Sequence, residues 1–509
     1  MENTFIKVME YNNNLTLNGM ATHSSSGNSL FDLFVESGAM RYSEVEKVLL
    51  SVYNAWEVDK ETALKLLFYT RDIVEGSGER RFFRLATQFL LTHKEDSEKV
   101  IDNLVKEENL KLNIIRVDDL VFLANSLLGK SLKRNKKVDK ILFFLFRMLK
   151  DEEIGGIVAK WMPRKNSQYE RVVKYMRANG FIKSYSLYRR EIAGKTKVVE
   201  QQMSKNEWNE INLEQTPSVA LKQYRKAFAK HNILQAYLEK VEAGEAKINA
   251  QRLTPFDIVR SFMPSYEEWT NIYFDNEAPP EIDIEIRKLA DLQWKNLREL
   301  NDLPAEYRAL PVIDVSGSMT WNDCIPMSMA LGLGLFMAER NPNQAFSDYF
   351  ITFSNEPQFQ KIEGLDIYDK VSNAMRADWR GSTNLEATFE LVLNKAKQGK
   401  VAAEEMPTHI IIFSDMEFNR CVRTPEDNAW QMINRQYAEA GYTTPVIVFW
   451  NVDAKSSNFP VNFDESGALL LSGSSQNAMN IVLKQKYENP IDLMVEAISS
   501  DRFKHIKFV

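Results

Sequence analysis

The chain has little of what usually ties small or metal-built folds together. It holds 2 cysteines, Cys324 and Cys421, in 509 residues. That excludes a disulfide scaffold and a Cys-rich zinc fold, and it suits a reducing compartment. The 5 histidines are scattered and form no HExxH-type motif. With 20 Gly and 16 Pro the chain is neither collagen-like nor linker-dominated. Long apolar runs are missing too. The longest nearly uncharged one, residues 325–338, is about 14 residues, short of the ~20 that span a bilayer. The opening MENTFIKVMEYNNN carries no basic stretch ahead of an apolar core. No signal peptide and no membrane contact are therefore expected, and the protein is expected in the cytoplasm.

What is present reads as globular and multidomain. The chain is 44% hydrophobic and 26% charged, and 509 residues exceed one ordinary hydrophobic core. A net charge of −6 hides an asymmetry. Residues 161–260 carry 19 Lys and Arg against 10 Asp and Glu, whereas residues 301–509 carry 18 against 27. A basic middle joined to an acidic C-terminal part suits a polyanion-binding module attached to something else. Solvated helix faces would give the same count.

Hydrophobic periodicity divides the chain. Residues 1–28 are polar. From Ser29 onward apolar residues recur at helical spacing, over 29–34, 43–56, 60–73, 81–92, 95–106, 117–128 and 136–149. Asp59 or Lys60 opens one of these helices and Gly76-Ser77-Gly78 closes it. The spacing predicts stacked antiparallel helix pairs, a HEAT-like array over 29–261. Residues 262–304, with Pro264, Pro279 and Pro280 and a helix over 282–300, read as a linker. From 305 to 509 the texture changes to alternating β and α. Strands are expected at 310–315, 349–353, 409–413 and 445–450, and helices at 326–339, 385–396 and 427–440. This pattern predicts a doubly wound α/β domain whose ligand sits at the carboxyl ends of the strands.

That sheet edge gathers the chemistry. Asp314-Val315-Ser316-Gly317-Ser318 follows the first predicted strand and places a carboxylate and two hydroxyls in one tight loop. Gly381-Ser382-Thr383-Asn384 lies just before a helix, and Ser414-Asp415 follows a third strand. Asp314, Ser316, Ser318, Thr383 and Asp415 are hard oxygen donors, suited with water to six-coordinate Mg²⁺ or another divalent cation. A nucleophilic serine would need a base. No histidine lies in these loops, and His409 opens a strand at the far end.

The D-x-S-x-S spacing with Thr383 and Asp415 resembles the metal-ion-dependent adhesion site of von Willebrand factor A (vWA) domains. The resemblance implies a metal with an open position that a partner's carboxylate, or another oxygen, completes. Other segments resemble the Ro ribonucleoprotein (TROVE) family and its relatives known only as a domain of unknown function. These are Leu17-Asn18-Gly19-Met20-Ala21, residues 29–34, Tyr69-Thr70-Arg71-Asp72-Ile73 with residues 76–80, residues 160–165, Lys247-Ile248-Asn249-Ala250 and residues 413–418. The resemblance implies a ring of HEAT-like repeats closed by the vWA domain, a monomer, and binding of small noncoding or misfolded RNA rather than DNA. The family's RNA contacts do not transfer residue by residue onto 161–260.

Within that segment Arg164, Lys165, Arg171, Lys174, Arg177, Arg189 and Arg190 are the candidate RNA contacts. Tyr185 and Tyr188 are interleaved with them, while Trp161 and Trp208 read as core. Three functions remain open. The first is a non-catalytic Ro-like RNA-binding scaffold. The second is a protein-interaction module whose metal captures an acidic partner residue. The third is a metal-dependent phosphoesterase, which lacks a second-metal carboxylate set and a general base.

Overall fold

A computed structural model describes residues 13–129, 132–196, 198–274, 282–298, 307–354, 356–377, 383–420, 423, 426–482, 487 and 489–508. Pro279, Pro280, Gly381, Ser382 and Cys421 of the sequence reading lie outside these. The chain folds as two compact units. One joins residues 1–43 to 213–496, and the other joins 44–212 to 497–509. These units cut the chain differently from the textural boundaries at 28, 261 and 304. Tertiary contact between distant segments decides them, and local periodicity does not register it.

The helical unit is built as the periodicity predicts. Residues 44–212 form α2 (Val45–Val58), α3 (Lys60–Arg71), α4 (Arg80–His93), α5 (Ser97–Leu104), α6 (Glu107–Lys111), α7 (Val117–Leu127), α8 (Lys136–Met148), α9 (Gly155–Trp161), α10 (Glu170–Ala178), α11 (Tyr185–Lys195) and α12 (Val199–Ser204); α1 belongs to the other unit. Polar residues start them. The Asp59, Asn135 and Ser184 side chains accept from backbone N–H groups in the first turns of α3, α8 and α11. Gly76 is obligatory, since a Cβ there would stand 1.7 Å from the Tyr69 carbonyl oxygen. At the centre Arg71 and Arg84 grip Asp119 at 2.8 and 2.7 Å, and Arg84 also holds Asp118 at 2.7 Å. Residues 497–509 complete the unit. Arg502 clamps the buried Asp72 with two bonds of 2.7 and 2.9 Å, and Phe508 packs edge-on against Trp56.

The other unit begins with a short antiparallel pair, β1 (Asn13–Leu15) and β2 (Ala21–His23), and α1 (Ser29–Ser37). It continues with α13 (Ser218–Lys230), α14 (Ile233–Glu242), α15 (Pro255–Val259), α16 (Tyr266–Phe274) and α17 (Ile284–Lys295). Then come β3 (Ala309–Asp314), α18 (Trp321–Glu339), β4 (Tyr349–Phe353), β5 (Phe359–Lys361), α19 (Ile367–Met375), α20 (Leu385–Gly399), β6 (His409–Ser414), α21 (Ala429–Ala440), β7 (Val446–Asn451), β8 (Ala468–Ser472), α22 (Asn477–Val482) and α23 (Pro490–Ser499). Among the described residues the strands form a 6-stranded sheet in the order β5-β4-β3-β6-β7-β8. All pairings are parallel except that of the edge strand β5. β3 and β6 are buried along their whole length, as near-continuous apolar runs in a doubly covered sheet must be. The order reverses between β3 and β6. A crevice opens at such a switch point, at the carboxyl ends of the two strands.

Candidate metal centre

β3 ends on Asp314 and β6 ends on Ser414, so these two strands deliver their next residues to one place. Asp314 is fully buried. Its Oδ1 accepts the Ser316 N–H at 2.9 Å, and its Oδ2 accepts the Ser414 hydroxyl at 2.5 Å. The Ser316 and Ser318 hydroxyls lie 3.1 Å apart. Asp415 is also buried, and its Oδ1 accepts the Glu417 N–H at 3.3 Å. Its Oδ2 is buried without a hydrogen-bond partner.

The electrostatics follow from this crowding. Burial raises the Asp314 carboxyl above its usual range, against the pull of Ser414 and Ser316. Burial pushes Asp415 up to about 7, and Asp314 beside it adds to the rise, while the Ser318 hydroxyl and Lys455 work the other way. Two neighbouring carboxylates are thus held in low dielectric, with Lys455 the cation acting on both. Lys455 Nζ donates to the Ser318 carbonyl at 2.8 Å and lies 5.3 Å over the Trp321 ring.

Thr383 is placed by a different set of bonds. It is fully buried, and its hydroxyl donates to the Glu417 carbonyl at 2.5 Å, two residues past Asp415. Asp314, Ser316 and Ser318 are therefore linked by hydrogen bonds, Asp415 acts on Asp314 through its charge, and Thr383 is tied to the loop that carries Asp415. Among the described residues no group of three or more His, Cys, Asp or Glu forms a metal cluster. A site of two carboxylates and three hydroxyls is of another kind. The orphaned Asp415 oxygen beside a second buried carboxylate fits a hard divalent cation.

The N-terminal pair reaches this loop as well, which the polar texture of residues 1–28 did not disclose. Asn18 Nδ2 donates to the Thr383 hydroxyl oxygen at 3.2 Å and to the Glu417 carbonyl at 2.6 Å. The Leu17 N–H donates to Glu417 Oε2 at 2.5 Å, and Thr16 binds the Phe418 carbonyl. Asn18, Ser414, Glu417 and Lys455 are the neighbours that sequence reasoning missed. The signals were the Leu17-Asn18-Gly19-Met20 stretch and residues 413–418, which hold Ser414 and Glu417; both carry a resemblance and neither names these residues as part of the site. His409 sits at the start of β6. Its ring lies 4.6 Å from Tyr307, at the other end of a six-residue strand.

In the helical unit the basic residues divide. Arg164 and Lys165 are exposed between α9 and α10, and Arg189 and Arg190 are exposed on α11. Lys165 Nζ lies 5.9 Å over the Tyr185 ring. Lys174 is exposed but pairs with Glu170 at 3.4 Å, Arg177 closes the turn onto the Lys183 carbonyl, and Arg171 is half-buried. Tyr188 is buried, its hydroxyl donating to the Pro163 carbonyl at 2.8 Å. It belongs to the core and is no stacking platform. Trp161 departs the other way. It was read as core, yet it is 37% exposed with Lys160 Nζ 5.6 Å from its ring.

Among family models, residues 308–505 match "Domain of unknown function (DUF7788)". Residues 16–105 and 154–303 match "Domain of unknown function (DUF2828)". The two matches meet where the residue pattern turns from helical to alternating. The chain is similar to "Uncharacterized protein L728" of Acanthamoeba polyphaga mimivirus, at 25% identity over 525 residues, covering 96% of this chain and 87% of that protein. The crystal structure of the RO (RSR) protein of Deinococcus radiodurans aligns over 93% of this chain and 99% of its own, at 14% identity and a TM-score of 0.37.

Proposed function

We propose that the chain is a non-catalytic binding protein whose sheet edge is a divalent-cation site of the vWA adhesion type. Asp314, Ser316, Ser318, Thr383 and Asp415 would hold Mg²⁺. The observation that carries this reading is the buried, unpartnered Asp415 oxygen beside a second buried carboxylate. A bound Mg²⁺ supplies a hard Lewis-acidic position that takes an oxygen from a partner, most simply an acidic side chain. The chain's own residues hold the loops in place. Ser414 fixes Asp314, and Asn18 and the Glu417 carbonyl fix the Thr383 hydroxyl. Isothermal titration with Mg²⁺ tests the reading. Asp314→Ala and the milder Ser318→Ala are each expected to weaken binding by at least about tenfold. An unchanged isotherm in both removes the site.

A second reading has its own observation. Arg164, Lys165, Arg189 and Arg190 are exposed and make no ion pair among the described residues, and Tyr185 stands beside them. We infer that this face of the helical unit binds RNA, in keeping with the motifs that resemble the Ro ribonucleoprotein family. Crosslinking and sequencing of bound RNA, beside a variant with all four residues changed to Glu, is the test. Neutralising four phosphates gives log K against log salt a slope of about −3 on single strands, and the variant loses most of it. Recovery of the same RNA by both proteins ends this reading.

A further inference from the structure

Away from the metal centre, the same unit contains a cleft in which two buried donors, Arg225 Nε and Gln293 Nε2, have no acceptor. It lies where α13 meets α17, closed on one side by α15 and Ser261. Lys222 and Arg225 line it from α13, Ile258 and Ser261 from α15 and its end, and Ile286, Leu289, Ala290 and Gln293 from α17. The spacings are helical on both sides, i and i+3 on α13 and i, i+3, i+4, i+7 on α17, so each helix turns one face to the cleft. The cleft is shallow and opens to solvent, and the space it encloses is about 10 Å³, no more than a single oxygen atom needs.

Its walls are apolar apart from donors. Gln293 is 2% exposed and its Nε2 has no hydrogen-bond partner. Arg225 Nε is buried without one as well, although its Nη1 is used on the Lys222 carbonyl at 2.6 Å. One turn before Lys222, the hydroxyl of Ser218 is 99% hidden and equally unpartnered, with 1% of the residue exposed. A buried donor left unmatched costs roughly 1–3 kcal/mol, and several on two facing helices are not packing accidents. The charges point the same way. Burial lowers the Lys222 ammonium from its usual range, and Arg225 and Arg260 lower it further, against the attraction of Asp257. Burial alone lowers Arg225. Lys222 Nζ donates to the Asp257 carbonyl and lies 3.7 Å from its carboxylate, which leaves part of the ammonium for a further acceptor, and no carboxylate lines the cleft.

We propose that this cleft binds a phosphate group, with one phosphoryl oxygen seated on the floor against Gln293 Nε2 and Arg225 Nε and the others at the mouth facing Lys222. A tetrahedral dianion offers acceptors in the several directions from which these donors come, and a guanidinium edge matches it. The phosphate is free inorganic phosphate or the terminal group of a phosphomonoester. The proposal is independent of the metal centre and of the RNA face, which use other residues.

The test uses the full chain in thermal-shift and calorimetric titrations at constant ionic strength, with chloride, acetate, inorganic phosphate and AMP. Phosphate is expected to give a saturable rise in Tm of about 2–4 °C that chloride and acetate do not. A larger shift with AMP assigns a phosphomonoester, and a larger one with inorganic phosphate assigns the free ion. Arg225→Met tests the cation. Gln293→Leu removes an unmatched buried donor at nearly constant volume, so it keeps the basal Tm and folds. Each is expected to weaken phosphate binding by about tenfold or more. The proposal is overturned by no phosphate response in the parent protein, which leaves a single buried water as the occupant. It is also overturned by an equal response to acetate, or by a response that both variants retain.

Discussion

His505 is half-buried in the helical unit, where its Nε2 lies 2.8 Å from Asn109 Oδ1 and donates to it. Burial lowers its pKa below the usual histidine value, and Lys106 and Arg502 press in the same direction while Glu108 opposes them. The unfolded chain therefore binds more protons than the folded one just below pH 6.5. The contribution is complete above the unfolded pKa and is lost as pH falls through the folded one. His505→Gln, which keeps a donor for Asn109, is expected to flatten the loss of Tm between about pH 7 and pH 5. Parallel slopes for the two proteins would remove His505 as the cause. At this scale the site was partly legible. Asp314, Ser316 and Ser318 lie within five residues, so their convergence is written in local spacing. Ser414 and Asn18 reach their partners across 100 and 365 residues, and no local pattern encodes those pairings.

Helices α2 to α5, α7 and α8 and strands β3, β4, β6 and β7 fall within about two residues of the sequence expectation, because their apolar faces repeat over several turns or fill a whole strand. Four strands escaped for physical reasons. β5 is an edge strand whose residues are exposed or half-exposed, so it has no buried face to show. β8 is a five-residue apolar run between Gly467 and Gly473, legible in retrospect. β1 and β2 pair with each other, bond to residues 457–459 and send only their connecting turn to the metal-centre loop, and they carry no apolar stripe. The segment after Ser499 is the element with the clearest energetic weight. Arg502→Met leaves Asp72, fully buried, without its guanidinium, and the Leu112 carbonyl loses a 2.7 Å bond. Breaking such a pair costs about 3–5 kcal/mol. The variant is expected to show a clear fall in Tm with the helical signal lost first. A Tm unchanged within error would mean that the clamp is not what holds this segment.

For the whole molecule, two compact units give calorimetry two places to absorb heat. No helix among the described residues is long and apolar enough to cross a membrane. If Mg²⁺ binds at the sheet edge, it is expected to raise only the transition of the sheet-bearing unit, by about 2–4 °C at saturation. Arg502→Met is expected to lower only the other. A single transition that both perturbations move together would mean that the units unfold as one.

Neither unit is a continuous stretch of sequence, and this sets an order in time during synthesis. Residues 13–23 leave the ribosome early, but their partners on Glu417 and Phe418 lie about 400 residues later. At 5–20 residues per second they wait for roughly 20–80 s with their pairing groups unused. The helical unit waits longer still, since Asp72 meets Arg502 only after 430 further residues. Throughout that interval the Asp72 carboxylate stands without its arginine, and the turn between β1 and β2 lacks its acceptors until Phe418 is made. Slowing or pausing translation between residues 418 and 502 therefore lengthens the window in which a chaperone, or another nascent chain, can reach the helical unit.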